Sequence, residues 1–529
     1  MAKILVTDPL SEQGLSQLLE ASDMQVDQKI GIPAAEIIEI IGEYDALLVR
    51  SQTKVTAEII AAGKNLKVIG RAGVGVDNID VRAATKAGVL VINAPDGNTI
   101  TTAEFSFAMM MALARHIPQA THSLLDGKWE RNKFVGIELR AKTLGVVGLG
   151  RIGAEVAKRA QVFGMTVIAF DPFLTVARAE KLGVKAGSLE EVITQSDFIT
   201  VHTPLTKDTH HLIGTNEFNK MKKGVRIINC ARGGIIDENA LCQALDAGIV
   251  AGAAFDVFEK EPPVDHPLLA YPQVIATPHL GASTQEAQIN VAVDVAAGVV
   301  QLLRGGIYPH IVNFPSLPPE TRQQVQPFAD LGETLGTFAA QIMQEGLQSV
   351  QIQYEGDVAN HQSDPITRAI LKGVLQHHYA EEVHLISVAL IAEEMGIQVA
   401  ETKIPRTQSS ASLIRVKLVG DKHTVNLAGT YIKDIGVRII EINGYPLDIA
   451  PSENMIITWH HDVPGIIGTV GTVLGKKAIN IASMQVGRIQ EGGEALMVIA
   501  IDRTLDDEDL NAIATTQGLS RVKYIELPL

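Results

Sequence analysis

Cysteine is almost absent from this chain. Cys230 and Cys242 are the only two in 529 residues. That excludes a disulfide framework and any metal site built on cysteine spacing, and it fits a reducing compartment. Positive charge is also short, with 45 Lys and Arg against 60 Asp and Glu and a net charge of −15. Such a balance argues against non-specific binding to nucleic acid or to an anionic membrane, so an anionic ligand would need a local basic cluster. No apolar run is expected to span a bilayer. The opening MAKILVTDPL enters a strand pattern with neither a signal peptide nor an Arg/Ser-rich transit segment. The cytoplasm is the expected compartment, and no metal is expected.

Glycine, by contrast, is plentiful, and it is most informative within residues 144–171, LGVVGLGRIGAEVAKRAQVFGMTVIAFD. The pattern is strand, glycine turn, helix, strand, acid. Gly148 permits the tight turn, Gly150 lets the backbone approach a pyrophosphate, and Gly153 lets helix and strand pack closely. The helix N-terminus offers free N–H groups to an anion, and Arg151 either joins them or is merely solvated. Asp171 stands where a carboxylate accepts from ribose hydroxyls and repels a 2'-phosphate, so NAD rather than NADP is expected.

The length calls for three or four domains. Residues 1–97 alternate strands (3–6, 46–49, 68–71, 89–92) with helices, the pattern of a parallel sheet covered on both faces. Two of its strands end in basic residues: Arg50 and Ser51 after the one, Arg71, Gly73, Val74 and Gly75 after the other. Two arginines at equivalent strand ends, one beside a glycine turn, point to anion binding. Residues 93–99 read as a hinge. Residues 98–282 form a second domain in which, from 144 to about 282, the alternation repeats as a second sheet, so that a cleft lies between the two. A helix over 284–303 returns to the first sheet, which adds 283–315 to its domain, and the Gly- and Pro-rich stretch 305–319 is a linker. Residues 316–452 carry helices at 326–344 and 365–395 with strands at 350–354, 413–419 and 437–442, an α+β domain. Residues 453–529 read βαββαβ, the ferredoxin-like order.

Three turns of the second sheet carry chemistry: CARGG after the strand at 225–229, DVFEKEPP after 252–255, and TPHLG after 274–276. Moving a hydride from a carbon that bears a hydroxyl requires removal of the hydroxyl proton, which suits His279. Glu261 can orient that ring and stabilise its protonated form. Arg232 can hold a substrate carboxylate. Cys230 reads as a small packed residue near the nicotinamide rather than a nucleophile, and Asp256 as an acceptor for the nicotinamide amide.

On RAGVGVDNID, GLGRIG, MKKGVRIINCARGGIIDENAL, AFDVFEKEPP and TPHLGAST, the chain resembles the D-isomer-specific 2-hydroxyacid dehydrogenases over its whole length. It resembles in particular their long form, with an intervening domain and a C-terminal ACT domain. The implied fold class is α/β, with a flavodoxin-like substrate domain and a Rossmann cofactor domain, both doubly wound parallel sheets, followed by an α+β domain and the ferredoxin-like ACT domain. The resemblance implies NAD-dependent oxidation of 3-phospho-D-glycerate, the first step of L-serine biosynthesis, in a homotetramer. It makes Arg232, Glu261 and His279 catalytic. It assigns cofactor contacts to Gly148, Gly150, Arg151, Ile152, Gly153, Asp171, Thr203, Cys230, Asp256 and Val74, where some relatives have Thr. The substrate anion falls to Arg50, Ser51 and Arg71, with Arg131 reaching across a dimer. In the ACT domain His460, Asp462 and Asn480 become ligands for an amino-acid effector, L-serine. A glyoxylate/hydroxypyruvate-type dehydrogenase and an NADH-sensing, protein-binding scaffold are the alternatives. The anion-binding strand ends count against the first, and the acidic surface and regulatory tail against the second.

Overall fold

In a computed structural model of the chain, residues 1–343, 345–379, 382–405 and 412–528 are described. The first sheet has five parallel strands, Ala2–Val6, Met24–Gln28, Ala46–Val49, Val68–Arg71 and Leu90–Asn93. Counted along the chain they lie in the order 2-1-3-4-5, the flavodoxin-like order. Met24–Gln28 escaped the sequence reading because MQVDQ is an edge strand, paired only with Ala2–Val6 and half polar. The sheet's central strand, Ala46–Val49, is by contrast buried at every position.

The second sheet is parallel throughout and has seven strands: Thr143–Val147, Thr166–Phe170, Lys185–Ala186, Phe198–Val201, Val225–Asn229, Val250–Phe255 and Val274–Ala276. Their order is 7-6-5-4-1-2-3, the Rossmann arrangement with one strand added. The helix Thr99–Arg115 leads into it from the first sheet. The helix Gln285–Leu303, capped by the Thr284 side chain, returns and buries Val291, Val295, Ala296 and Val299 against Ile4, Val6, Leu48 and Val68. By length and composition this helix is long and apolar enough to cross a membrane. That corrects the expectation that no such run exists, although its apolar face is spent on the core of the first sheet.

The third sheet is mixed. Gln398–Ile404 runs parallel to Leu347–Glu355, and Leu413–Gly420, Thr424–Ile432, Gly436–Ile442 and Tyr445–Ile449 continue antiparallel. The helices Pro319–Ile342 and Asp364–His378 cover it. The helix expected over 326–344 thus begins earlier, and its last residue, Gln344, lies outside the described residues. The single helix expected over 365–395 is instead two, Asp364–His378 and Val388–Glu394. Tyr379 turns extended, and the Arg368 guanidinium donates to the carbonyls of Leu385 and Ile386. Residues 380 and 381 of that span lie outside the described residues.

The last sheet is antiparallel, with Ile481–Arg488, Glu494–Ile501, Asn454–His461 and Leu519–Glu526 in that spatial order and the helices Ile466–Lys476 and Asp507–Ala514 on one face. Strand alternation splits its residues. Met455, Ile457, Trp459, Leu496 and Val498 join the core of the preceding domain, and Ile456, Met497 and Ile499 pack on the two helices. The C-terminal module is therefore welded by an apolar face to its neighbour. Phe338, fully buried in that shared core, is the residue to test it. Phe338→Ala is expected to cost about 3–5 kcal/mol, seen as a lower urea midpoint for the C-terminal half with the first two sheets unaffected.

Candidate active site

Parallel strands place all their carboxyl ends on one edge, and here the two edges face each other. At the edge of the first sheet, Asp8 follows the strand Ala2–Val6. Fully buried, it accepts from the backbone N–H of Arg50 at 2.6 Å and of Gln52 and Thr53, and from the Thr53 hydroxyl. The Asn78 amide donates to the carbonyls of Arg50 and Thr53, each at 2.7 Å. These residues shape the turn that presents Arg50 and the exposed Ser51. Neither was picked out from the sequence, although the place of Asp8 at a strand's carboxyl end was the signal available.

Arg71 folds back over Gly73, where a Cβ would lie 1.5 Å from its Nη1. Its buried Nε has no hydrogen-bond partner. Loss of solvent, then the charges of Arg232 and Arg50, push this guanidinium down to about 10. Arg232 comes from the opposite sheet and crosses to Asp77, Nε to Oδ2 at 3.1 Å. It needs Gly75, because a Cβ there would lie 1.9 Å from Nη2. Asp77 is largely exposed, so the pair is worth at most about 1 kcal/mol; it positions Arg232 rather than stabilising the fold. Arg71 thus feels two further guanidiniums, one of them from across the cleft, an arrangement an anion would relieve. Val74 contributes its carbonyl, which accepts from Asn93 Nδ2 at 2.5 Å.

On the facing edge, His279 Nδ1 and Glu261 Oε2 stand 2.9 Å apart. His279 adopts a left-handed φ of 55° on a loop whose backbone converges on Asp256. Asp256, almost wholly buried, accepts from the Thr277 hydroxyl at 2.6 Å and from the N–H groups of Leu280 and Gly281, each at 2.7 Å. Asp256, expected from the sequence to meet the nicotinamide amide, also shapes the His279 loop through these bonds. The Cys230 thiol, buried and close to Asp256, is pushed up to about 12, which makes it a packed neutral group.

The glycine turn fits a dinucleotide. A Cβ on Gly153 would lie 2.1 Å from the Gly148 carbonyl, and one on Gly148 (φ 92°) would strike His202 and Thr203, while Gly150 faces open space. The helix Arg151–Val162 has no side-chain cap, so the N–H groups of its first turn, Ile152 among them, stay available to a pyrophosphate. The buried Thr203 hydroxyl beside the turn lacks a partner. Asp171 accepts from Leu149 N at 2.9 Å and Phe173 N at 2.8 Å, which ties the acid to the turn and leaves further lone pairs for ribose hydroxyls. Arg151 pairs with Asp96 of the inter-sheet crossing at 2.6 Å. Arg131 stands exposed in the short turn Arg131–Phe134.

The C-terminal residues do not converge within one chain. Asp462 accepts from Arg488 Nη1 at 3.0 Å, which lowers its carboxyl, whereas Asn480 donates to Asp502 at 2.6 Å. The first pair closes one end of the sheet and the second the other, because Ile481 faces Ile501 and Arg488 faces Ala495 in the register. His460 is buried with an unpartnered Nδ1, and burial lowers its pKa.

Residues 107–281 match the model for the D-isomer specific 2-hydroxyacid dehydrogenase NAD binding domain. Residues 324–443 match the D-3-phosphoglycerate dehydrogenase intervening domain, and 454–516 match the ACT domain. A Thermus thermophilus crystal structure superposes with a TM-score of 0.55 at 34% identity, covering 59% of this chain and 99% of that one. A D-lactate dehydrogenase from Aquifex aeolicus superposes at 0.53 and 28% identity, covering 59% of this chain and all of that one. Fold, glycine turn and cleft are those of the D-isomer specific 2-hydroxyacid dehydrogenases, and the chain belongs to them. Within them it belongs to the D-3-phosphoglycerate dehydrogenases. It is 48% identical over the full length of both chains to the one from Bacillus subtilis, and 45% identical to the one from Archaeoglobus fulgidus, covering 99% of this chain and all of that one.

Two measurements test this geometry. Gly153→Ala is expected to weaken NAD binding at least tenfold in calorimetric titration, since its methyl cannot share space with the Gly148 carbonyl. His202, next to the turn, has its imidazole pushed by burial from 6.5 down to about 4. Between these values the unfolded chain binds the extra proton. Stability is therefore full above about 6.5 and lost as pH falls toward 4, and His202→Gln is expected to flatten that acid limb in urea midpoints.

Proposed function

We propose that this chain uses NAD to oxidise 3-phospho-D-glycerate to 3-phosphohydroxypyruvate, the entry to L-serine synthesis. The observation that carries it is the His279–Glu261 pair at 2.9 Å, opposite an arginine cluster and beside a dinucleotide turn. The full-length relatives from Bacillus subtilis and Archaeoglobus fulgidus are D-3-phosphoglycerate dehydrogenases. The Aquifex aeolicus structure holds NAD and lactic acid, a 2-hydroxy acid.

When bound, NAD supplies the hydride acceptor; Gly148, Gly150, Arg151, Ile152, Gly153, Asp171 and Thr203 hold it. Glu261 accepts the Nδ1 proton of His279, which leaves Nε2 bare to take the proton of the C2 hydroxyl as the hydride leaves C2. Glu261 then stabilises the imidazolium. Arg232 holds the substrate carboxylate, and Arg50, Ser51, Arg71 and, from a second copy, Arg131 hold the phosphate. Support for the second copy comes from exposed Leu125, Trp129 and Val135 around Arg131, an apolar patch that calls for cover.

The assembly is a homotetramer. Its substrate domain comprises residues 1–97 and 283–315, its cofactor domain 98–282, its intervening domain 316–452 and its ACT domain 453–529. L-serine is its effector. His460 and Asp462 stand at one end of the ACT sheet and Asn480 at the other, which supports a serine site completed between two chains. The two cysteines are free, in keeping with a cytoplasmic enzyme.

His279→Ala is expected to lower kcat about a hundred- to ten-thousandfold with NAD affinity unchanged, and turnover near the parent's would remove the assignment. Arg71→Met is expected to raise KM for phosphohydroxypyruvate far more than for hydroxypyruvate; equal losses on both would take the phosphate away from Arg71.

A further inference from the structure

Outside the cleft, three exposed side chains converge as metal ligands do. His210 Nε2 stands 3.3 Å from Glu259 Oε1, and His211 Nε2 stands 3.6 Å from Glu259 Oε2. The two imidazoles stack 3.9 Å apart at 22°. Consecutive side chains ordinarily diverge; here a left-handed φ of 52° at His211 turns both rings to one side. Bonds of about 2.0–2.1 Å to one tetrahedral ion place its ligand atoms about 3.3–3.4 Å from each other; here one ligand atom from each residue lies within 4.8 Å of the others, so small side-chain rotations close the site. A carboxylate stands on the far side of His211, just beyond hydrogen-bond reach. Asp237 Oδ2 lies 3.8 Å from the far ring nitrogen, Nδ1, of His211. Its other oxygen accepts from Asn239 and Ala240 at 3.0 Å, which pins the carboxylate. A carboxylate behind a ligating imidazole fixes its tautomer and raises its basicity.

We propose that His210, His211 and Glu259 form a site for a divalent transition-metal ion of the zinc class, with Asp237 orienting His211. The donor set, two imidazoles and a carboxylate with no thiolate, suits Zn²⁺ and Co²⁺ and leaves a coordination position for water. The ion would brace the turn holding His210 against the segment that leads to Glu261. Glu259 N already donates to the buried Glu238 at 2.8 Å, and the Phe258–Glu259 backbone passes so near Gly233 that a Cβ there would lie 2.0 Å from the Phe258 carbonyl.

The test is titration of the untagged, chelator-treated full chain with Co²⁺ and Zn²⁺, followed by calorimetry and visible absorption. One equivalent per chain is expected, with ligand-field bands of a tetrahedral nitrogen–oxygen site and no thiolate charge-transfer band. His210→Ala and Glu259→Gln are expected to weaken binding more than Asp237→Asn, whose loss as a supporting group should cost about tenfold. Circular dichroism shows that each variant is folded. No stoichiometric binding, equal affinity in parent and ligand variants, or a thiolate band would overturn the site.

Discussion

Three like charges held in one cleft set the terms for the rest of this structure. Burial, and then the charges of Arg232 and Arg50, raise the cost of keeping Arg71 charged, and its buried Nε has no hydrogen-bond partner. A chain with a net charge of −15 does not gather guanidiniums by accident of composition. It must hold them with buried Asp8 beneath one turn and Asp77 against Arg232, while glycines at 73 and 75 clear the space their side chains occupy. An anion bound between them would offset that cost.

The His279–Glu261 pair stands on a different kind of support. His279 projects from a short irregular loop in a left-handed conformation, and loops are mobile unless their backbone is tied down. Asp256 supplies the ties through three hydrogen bonds to residues 277–281. Hydrogen bonds to a charged acceptor are worth about 1.5–3 kcal/mol each, enough together to hold the imidazole against Glu261. Asp256 therefore decides where the His279 ring stands. Asp171 does the same for the glycine turn through Leu149 and Phe173.

At the C-terminal end, constraint comes from alternation. One face of the last sheet completes the core of the domain before it and the other is covered by its own helices, which leaves strand ends and exposed helix surface as its remaining contact area. Fixed in this way, the ACT sheet cannot reorient without disturbing the intervening domain. A ligand that bridges two such sheets would therefore act on both domains of each chain.

Much of this was legible from residues alone. GLGRIG with Asp171 specified a strand, turn, helix and strand because glycine is demanded by steric contacts that no other residue satisfies. The apolar run at 46–49 was legible as a strand because both of its faces are covered and all its residues are apolar. Strands with a polar face, Met24–Gln28 and Tyr445–Ile449, were not legible, because edge strands need not be hydrophobic. The helix expected over 365–395 was not broken in the reading, since its stop depends on Arg368 reaching carbonyls seventeen and eighteen residues ahead. By itself, the sequence determined the kinds of chemistry available: a dinucleotide turn, basic strand ends, and a histidine with a carboxylate to serve it. Only the tertiary structure decided which groups meet. It turned Asp256 toward the His279 loop, brought Arg232 to Asp77 across the cleft, set Asp462 and Asn480 at opposite ends of a sheet, and stacked His210 on His211 beside Glu259. These are contacts between elements distant in sequence, and their geometry depends on packing that no local pattern encodes.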